Sequence, residues 1–157
     1  MSDIVYMTKE SVREFEQEVW DLKTKGRKDI AQKIAEARSH GDLSENAEYD
    51  AAKHAQELLE MKISKLESTL ARVQVISADE LPDDKVYILT KVKLKNKSTN
   101  TILDYMLVSP EEADFERKKI SVDSPIGKAL MGKTVGDIAE MNAPAGKILF
   151  EILEISK

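Results

Sequence analysis

The chain has 157 residues, enough for one domain or two small ones, with 41% hydrophobic residues, 34% charged residues and a formal net charge of −5. That acidic balance gives autonomous duplex DNA binding little support, and 5% aromatics argues against a stacking surface for single-stranded nucleic acid. The absence of cysteine excludes disulfides and thiolate metal sites.

The N-terminal stretch MSDIVYMTKE lacks the basic and apolar regions of a signal peptide, and no apolar run approaches the roughly 20 residues of a membrane span. A soluble, cytoplasmic protein is therefore expected. To about residue 75 the chain contains no proline and is rich in Glu, Lys, Ala and Leu. A helix is predicted over KESVREFEQEVWDLK, with Thr8 at its cap and Ser11 as the second option. Its apolar stripe runs Val12, Phe15, Val19, Leu22, with the three-four-three spacing of a coiled-coil seam. The stripe continues at Ile30, Ile34 and Ala37, and steps of four at Gly26 and Ile30 form a stutter that locally unwinds a supercoil.

A second helical stripe follows at Ala51, Ala55, Leu59, Ile63, Leu66, Leu70 and Val73. In an antiparallel hairpin, facing positions sum to a constant. Val12 with Val73, Phe15 with Leu70, Val19 with Leu66, Leu22 with Ile63, Ile30 with Ala55 and Ile34 with Ala51 all give 85. The fold-back then falls between Asp42 and Leu43. Large residues pair at the base and alanines near the tip, and each arm of about 30 residues would reach on the order of 45 Å.

Residues 81 to 85, LPDDK, are rich in turn formers and mark a boundary. Two β-rich stretches follow, 86–96 and 101–109, with KSTN as the hairpin turn between them. PEEADFERKK is read as a short helix or turn. Ser124, Pro125 and Gly132 are placed to cap, start and end a short helix. DIAEMNAP and KILFEILEIS read as two closing strands joined at PAG. The sum is about four strands and one short helix, a small α+β domain after a helical hairpin, with domains over 1–76 and 77–157.

GDLSENAEYD, at 41–50, holds four acids: Asp42, Glu45, Glu48 and Asp50. Asp42 can cap the second helix with Glu45 three residues later, an aspartate form of the capping box that also suits the helix dipole. The same two residues supply hard oxygen ligands suited to Mg²⁺. Two carboxylates are too few for a tight site of their own, so they read as half a metal site that a partner would complete.

The stretch AEARSHGDLSENAEYDAAK resembles the signature of bacterial Gre-type transcript cleavage factors, the GreA group in particular. The likeness extends to QVIS at the junction, EEADF (111–115), ISVDSPIGKALMGK (120–133) and PAGKILFEILEI. It implies a factor that docks on bacterial RNA polymerase, with the coiled-coil hairpin entering the secondary channel. Asp42 and Glu45 match the tip acids that, in the family, help hold a second Mg²⁺ jointly with the polymerase and orient the attacking water. The polymerase itself then cleaves the nascent RNA whose 3′ end has been extruded by backtracking, so the factor is an accessory and not an enzyme. Arg38 and Lys53 fall where the family carries a basic patch for that RNA, with lysine at 53 giving up bidentate phosphate recognition. An ordinary solvated face is the other reading of both.

The second domain resembles the FKBP-like fold of Gre factors, and Asp123, Ser124 and Pro125 match the loop that grips the polymerase at the channel rim. A polymerase-bound monomer with no membrane contact is expected. Glu48, Asp50 and the cations Lys23, Lys25, Arg27 and Lys28 are read as solvated, Tyr49 as tip packing and His40 as structural. The competing readings are a Gre-like channel inhibitor without cleavage activity, an FKBP-like peptide-binding protein or prolyl isomerase, a plain coiled-coil adaptor, and an autonomous nuclease. Keeping both tip acids favours cleavage stimulation.

Overall fold

A computed structural model describes residues 4–41 and 46–157. The chain divides into two compact units, Glu10–Arg72, and Met1–Lys9 together with Val73–Lys157.

The first unit is a helical hairpin. Helix α1 (Lys9–Asp21) starts directly after Thr8, passes through a π-helical turn at Leu22–Gly26 and continues as α2 (Arg27–Ser39). The backbone stays right-handed helical on both sides of that turn, at Asp21 and Arg27. The stutter read from the sequence is thus taken up as a widened turn within one continuous helical run. Thr24 Oγ1 donates to the carbonyls of Trp20, at 2.8 Å, and Asp21, at 3.4 Å, beside the widened turn. Helix α3 (Ala47–Ala71) returns antiparallel.

Val19, Ala37, Ala52, Ile63 and Thr69 are buried in the hairpin. Two of the expected pairs shift. Val73 has left the helix for a strand, so the seam ends before it. Near the tip Ala52, not Ala51, is the buried alanine. Ion pairs flank the seam. Lys23 Nζ meets Glu67 Oε2 at 2.7 Å, and Lys62 Nζ meets Glu18 Oε1 at 3.3 Å. Arg27 donates to both oxygens of Glu60. Lys23 and Arg27, expected to be merely solvated, therefore bond across the hairpin.

The second unit opens with β1 (Val5–Met7), which pairs in parallel with β2 (Val73–Val75), Val5 opposite Val73. Parallel neighbours need a long crossover, and the whole helical hairpin serves as one. This places the first strand with the C-terminal unit, not with the hairpin as the boundary at 76/77 implied. A three-residue strand is too short to leave a period-two signal, which is why the sequence did not reveal it.

Five strands make the main sheet: β3 (Lys91–Asn96), β4 (Ile102–Val108), β5 (Lys119–Ser121), β6 (Ile138–Ala143) and β7 (Gly146–Ser156). Their order is β5-β4-β3-β7-β6, parallel between β4 and β5 and antiparallel elsewhere. A bulge in β7 shifts the register, so that Lys93 faces Glu154 but Leu94 faces Ile152. Helix α4 (Pro125–Leu130) contributes Leu130 to a core of Val86, Val92, Leu94, Leu107, Phe150 and Ile152. A smaller cluster of Leu81, Leu89 and Val108 gathers Tyr6 and Ile76. The Ser109 hydroxyl ties in β1, accepting from the Tyr6 amide at 3.2 Å.

The strand expected from residue 86 begins only at Lys91. Residues 87–90 turn instead, with Leu89 at φ 71° and the Thr90 hydroxyl donating to the Tyr87 carbonyl at 2.7 Å. The left-handed backbone is disfavoured for leucine, but it places the Leu89 side chain in full burial. Alternating apolar residues mark burial here and not a strand. PEEADFERKK forms two single 3₁₀ turns, Pro110–Glu112 and Phe115–Arg117. The architecture is α+β, a long helical hairpin with a unit built on a five-stranded sheet. No helix among the described residues is long and apolar enough to cross a membrane.

Candidate functional site at the hairpin tip

Asp42 and Glu45 lie outside the described residues. The residues on either side define how the tip is carried. Helix α2 ends at Ser39 with its last amides bonded back, His40 to Ala37 O at 3.2 Å and Gly41 to Arg38 O at 3.4 Å. Gly41 has φ +108°, a backbone that side-chain-bearing residues avoid, so a glycine stands where the chain must leave the helix.

The return helix is capped by Asn46, not by Asp42. Its Oδ1 accepts from the Tyr49 amide at 3.0 Å, and α3 starts at Ala47. The Asp42–Glu45 capping box is therefore corrected: the helix begins too late for Asp42 to be its cap. Asn46 also donates from Nδ2 to the Ala37 carbonyl at 2.6 Å. One side chain thus satisfies a first-turn amide of α3 and a last-turn carbonyl of α2. Sequence reading passed over this residue. Asparagine directly before an alanine-rich helical run was the available signal.

The other tip residues find neighbours. His40 Nδ1 lies 2.7 Å from Glu48 Oε2, joining the two helices beside the turn. The Arg38 guanidinium lies 5.9 Å from the centre of the half-buried Tyr49 ring, a cation–π arrangement consistent with the packing role read for Tyr49. Lys53 Nζ reaches along its own helix to Gln56 Oε1 at 3.0 Å. Arg38 and Lys53 are both exposed, and each engages a different neighbour. Asp50 is exposed in the first turn of α3.

Farther down, the two bonds from Arg27 hold the Glu60 carboxyl below the usual carboxylate range and raise the guanidinium's own affinity for its proton. Among the described residues no cluster of three or more acids or histidines could hold a metal. The donor chemistry of Asp42 and Glu45, two hard-oxygen carboxylates, fits a Mg²⁺ whose remaining ligands come from elsewhere.

In the second unit Ser121 to Gly127 form a tight turn leading into α4. Ser124 Oγ donates to Ser121 O at 2.6 Å and accepts from the Gly127 amide at 3.0 Å, with Pro125 in the first turn, as the capping reading required. A Cβ on Gly127 would lie 2.0 Å from Ser121 O, so only glycine fits this turn. Asp123 and Pro125 are exposed at its surface.

Comparison with known proteins places the whole chain. The family model described as "Transcription elongation factor, N-terminal" matches residues 5–75, and "Transcription elongation factor, GreA/GreB, C-term" matches 81–157. A transcription elongation factor GreA of Amoebophilus asiaticus is 51% identical over 156 residues, covering 99% of both chains. That of Chlorobium phaeobacteroides is 52% identical over 157 residues, covering 99% of this chain and 98% of its own. GreA factor homolog 1 of Thermus thermophilus, a solved structure, is 27% identical with a TM-score of 0.44, covering 99% of this chain and all of its own. With both of its halves matched by the family's models and about half of its residues shared with relatives along its full length, the chain belongs to the GreA/GreB family of transcription elongation factors.

Proposed function

We propose that this chain is a transcription elongation factor that enters the secondary channel of bacterial RNA polymerase and stimulates the polymerase's own cleavage of backtracked RNA. It acts as an accessory to that nuclease and is not itself an enzyme. The observation that carries the reading is the construction of the tip. Of two antiparallel helices braced by ion pairs, the first ends at Ser39 and the second starts directly after Asn46, and the residues between them include both Asp42 and Glu45.

In this reading Asp42 and Glu45 would supply carboxylate ligands to a Mg²⁺ shared with the polymerase. When bound, the metal supplies charge neutralisation and a more acidic water for phosphodiester hydrolysis. The remaining roles belong to the chain's own residues. Asn46 and the His40–Glu48 contact join the helix ends, Gly41 lets the chain leave α2, and Arg38 and Lys53 present positive charge toward the extruded 3′ end. Asp123, Ser124 and Pro125 offer a rigid, exposed turn for docking on the polymerase.

The test is 3′-end shortening of RNA in stalled bacterial elongation complexes supplied with Mg²⁺. Native protein is expected to shorten the transcript, while Asp42→Asn and Glu45→Gln variants bind the polymerase without doing so. Native protein that binds but leaves the RNA intact, or slows extension, would instead identify a channel inhibitor.

A further inference from the structure

We infer that Asn46 is a positioning residue for the tip acids: by bonding Ala37 O and the Tyr49 amide with one side chain, it sets the spacing of the two helix ends that carry them. The inference rests on the cleavage reading above, but its geometry is independent of it. A helix cap needs only the acceptor. Asn46 uses its Oδ1 for that purpose, at 3.0 Å from the Tyr49 nitrogen. The Nδ2 bond to Ala37 O, at 2.6 Å, does nothing for α3 and instead fastens it to the last turn of α2. Ala37 is buried, and its carbonyl also accepts from the His40 amide, so the fastening point belongs to a packed part of the hairpin.

Serine, threonine and aspartate cap helices about as well as asparagine, or nearly so. None of them can repeat this bridge. Aspartate has no donor at the matching position, and serine and threonine are too short to reach across. The Asn46 amide is thus chosen for two jobs, and the second matters only where the relative position of the helix ends matters. A pair of carboxylates delivered to a metal held partly by another protein is such a case, because outer groups that orient metal ligands control both affinity and rate.

Asn46→Asp and Asn46→Ser separate the two jobs, since both keep the cap and lose the bridge. In stalled elongation complexes each should lower the rate of 3′-end cleavage about tenfold or more and raise the Mg²⁺ concentration needed for half-maximal rate. Affinity for the polymerase, read by competition with native protein, should stay at the native level. In the free protein, amide hydrogen exchange should quicken at His40 and Gly41 while Tyr49 stays protected. Native cleavage rate and native Mg²⁺ dependence in both variants would reduce Asn46 to a cap and overturn the inference. Unchanged exchange at His40 and Gly41 would overturn it as well, even if native protein failed to stimulate cleavage. That last failure would count against the cleavage reading and not against the bridge.

Discussion

Arg27 grips Glu60 across the hairpin with two bonds, Nη2 to Oε1 at 2.8 Å and Nε to Oε2 at 3.0 Å. The planar fork makes this possible, and an ammonium could not reproduce it. Hydrogen bonding from Arg27 is the main reason the Glu60 carboxyl lies below its ordinary value of 4.5. A depressed folded pKa means stability that is present above the unfolded value and is lost as pH falls through the folded one. The hairpin should therefore lose stability on the acid side of about 4.5. Glu60→Gln should flatten that acid limb in urea unfolding followed by helical circular dichroism. An unaltered limb would show that the pair does not couple to folding.

Gly26 faces Leu59, and a Cβ there would lie 3.2 Å from Leu59 Cδ1. The obstacle is the end of a flexible side chain, which can yield by a few tenths of an ångström. Alanine in a helix interior is favoured over glycine by about 0.8–1 kcal/mol. Gly26→Ala should accordingly stabilise the hairpin by roughly 0.5 kcal/mol, a part of that propensity gain. Gly26→Leu should destabilise it, because Leu59 cannot make way for a second branched chain. Denaturation midpoints of the two variants should move in opposite directions.

Gly127 and Ser124 give a graded pair in the second unit. Gly127→Ala forces a methyl to within 2.0 Å of the Ser121 carbonyl, a backbone atom that cannot rotate away. A loss of about 2–3 kcal/mol is expected. Ser124→Ala removes only a cap and should cost about 1 kcal/mol. Thermal unfolding that ranked Ser124→Ala as the more damaging would contradict the assigned geometry.

Asp137 Oδ2 accepts from both the amide and the hydroxyl of Thr134, each at 2.9 Å. The backbone bond is the larger cause of its lowered pKa and the hydroxyl the next. Its contribution is likewise present above the unfolded value and lost as pH falls through the folded one. An NMR titration of the Asp137 side-chain carbonyl should give a midpoint below the ordinary 3.8. Thr134→Val, which keeps the backbone bond, should raise the midpoint only part of the way.

Much of this protein is legible in its residues because long periodic segments announce themselves. The stripes from Val12 to Ala37 and from Ala51 to Val73 foretold two antiparallel helices, although Ala51 is exposed and Val73 belongs to β2, and Ser124 with Pro125 foretold the start of α4. The facing pairs that sum to 85 foretold a fold-back near residue 42, and α2 ends at Ser39 with α3 starting at Ala47. These are local properties, carried by side-chain spacing and by backbone preference at single positions.

What tertiary structure decided was which local option prevails where several compete. Val5–Met7 becomes a strand only because the hairpin returns Val73–Val75 beside it. Residues 87–90 turn instead of extending because burying Leu89 and closing Thr90 on Tyr87 outweigh a disfavoured φ. Several residues of the acidic stretch could cap a helix by type; Asn46 caps α3 and also reaches the Ala37 carbonyl on the opposite arm. A bond between residues nine apart in the chain depends on where both helix ends stand, and no local pattern encodes that distance.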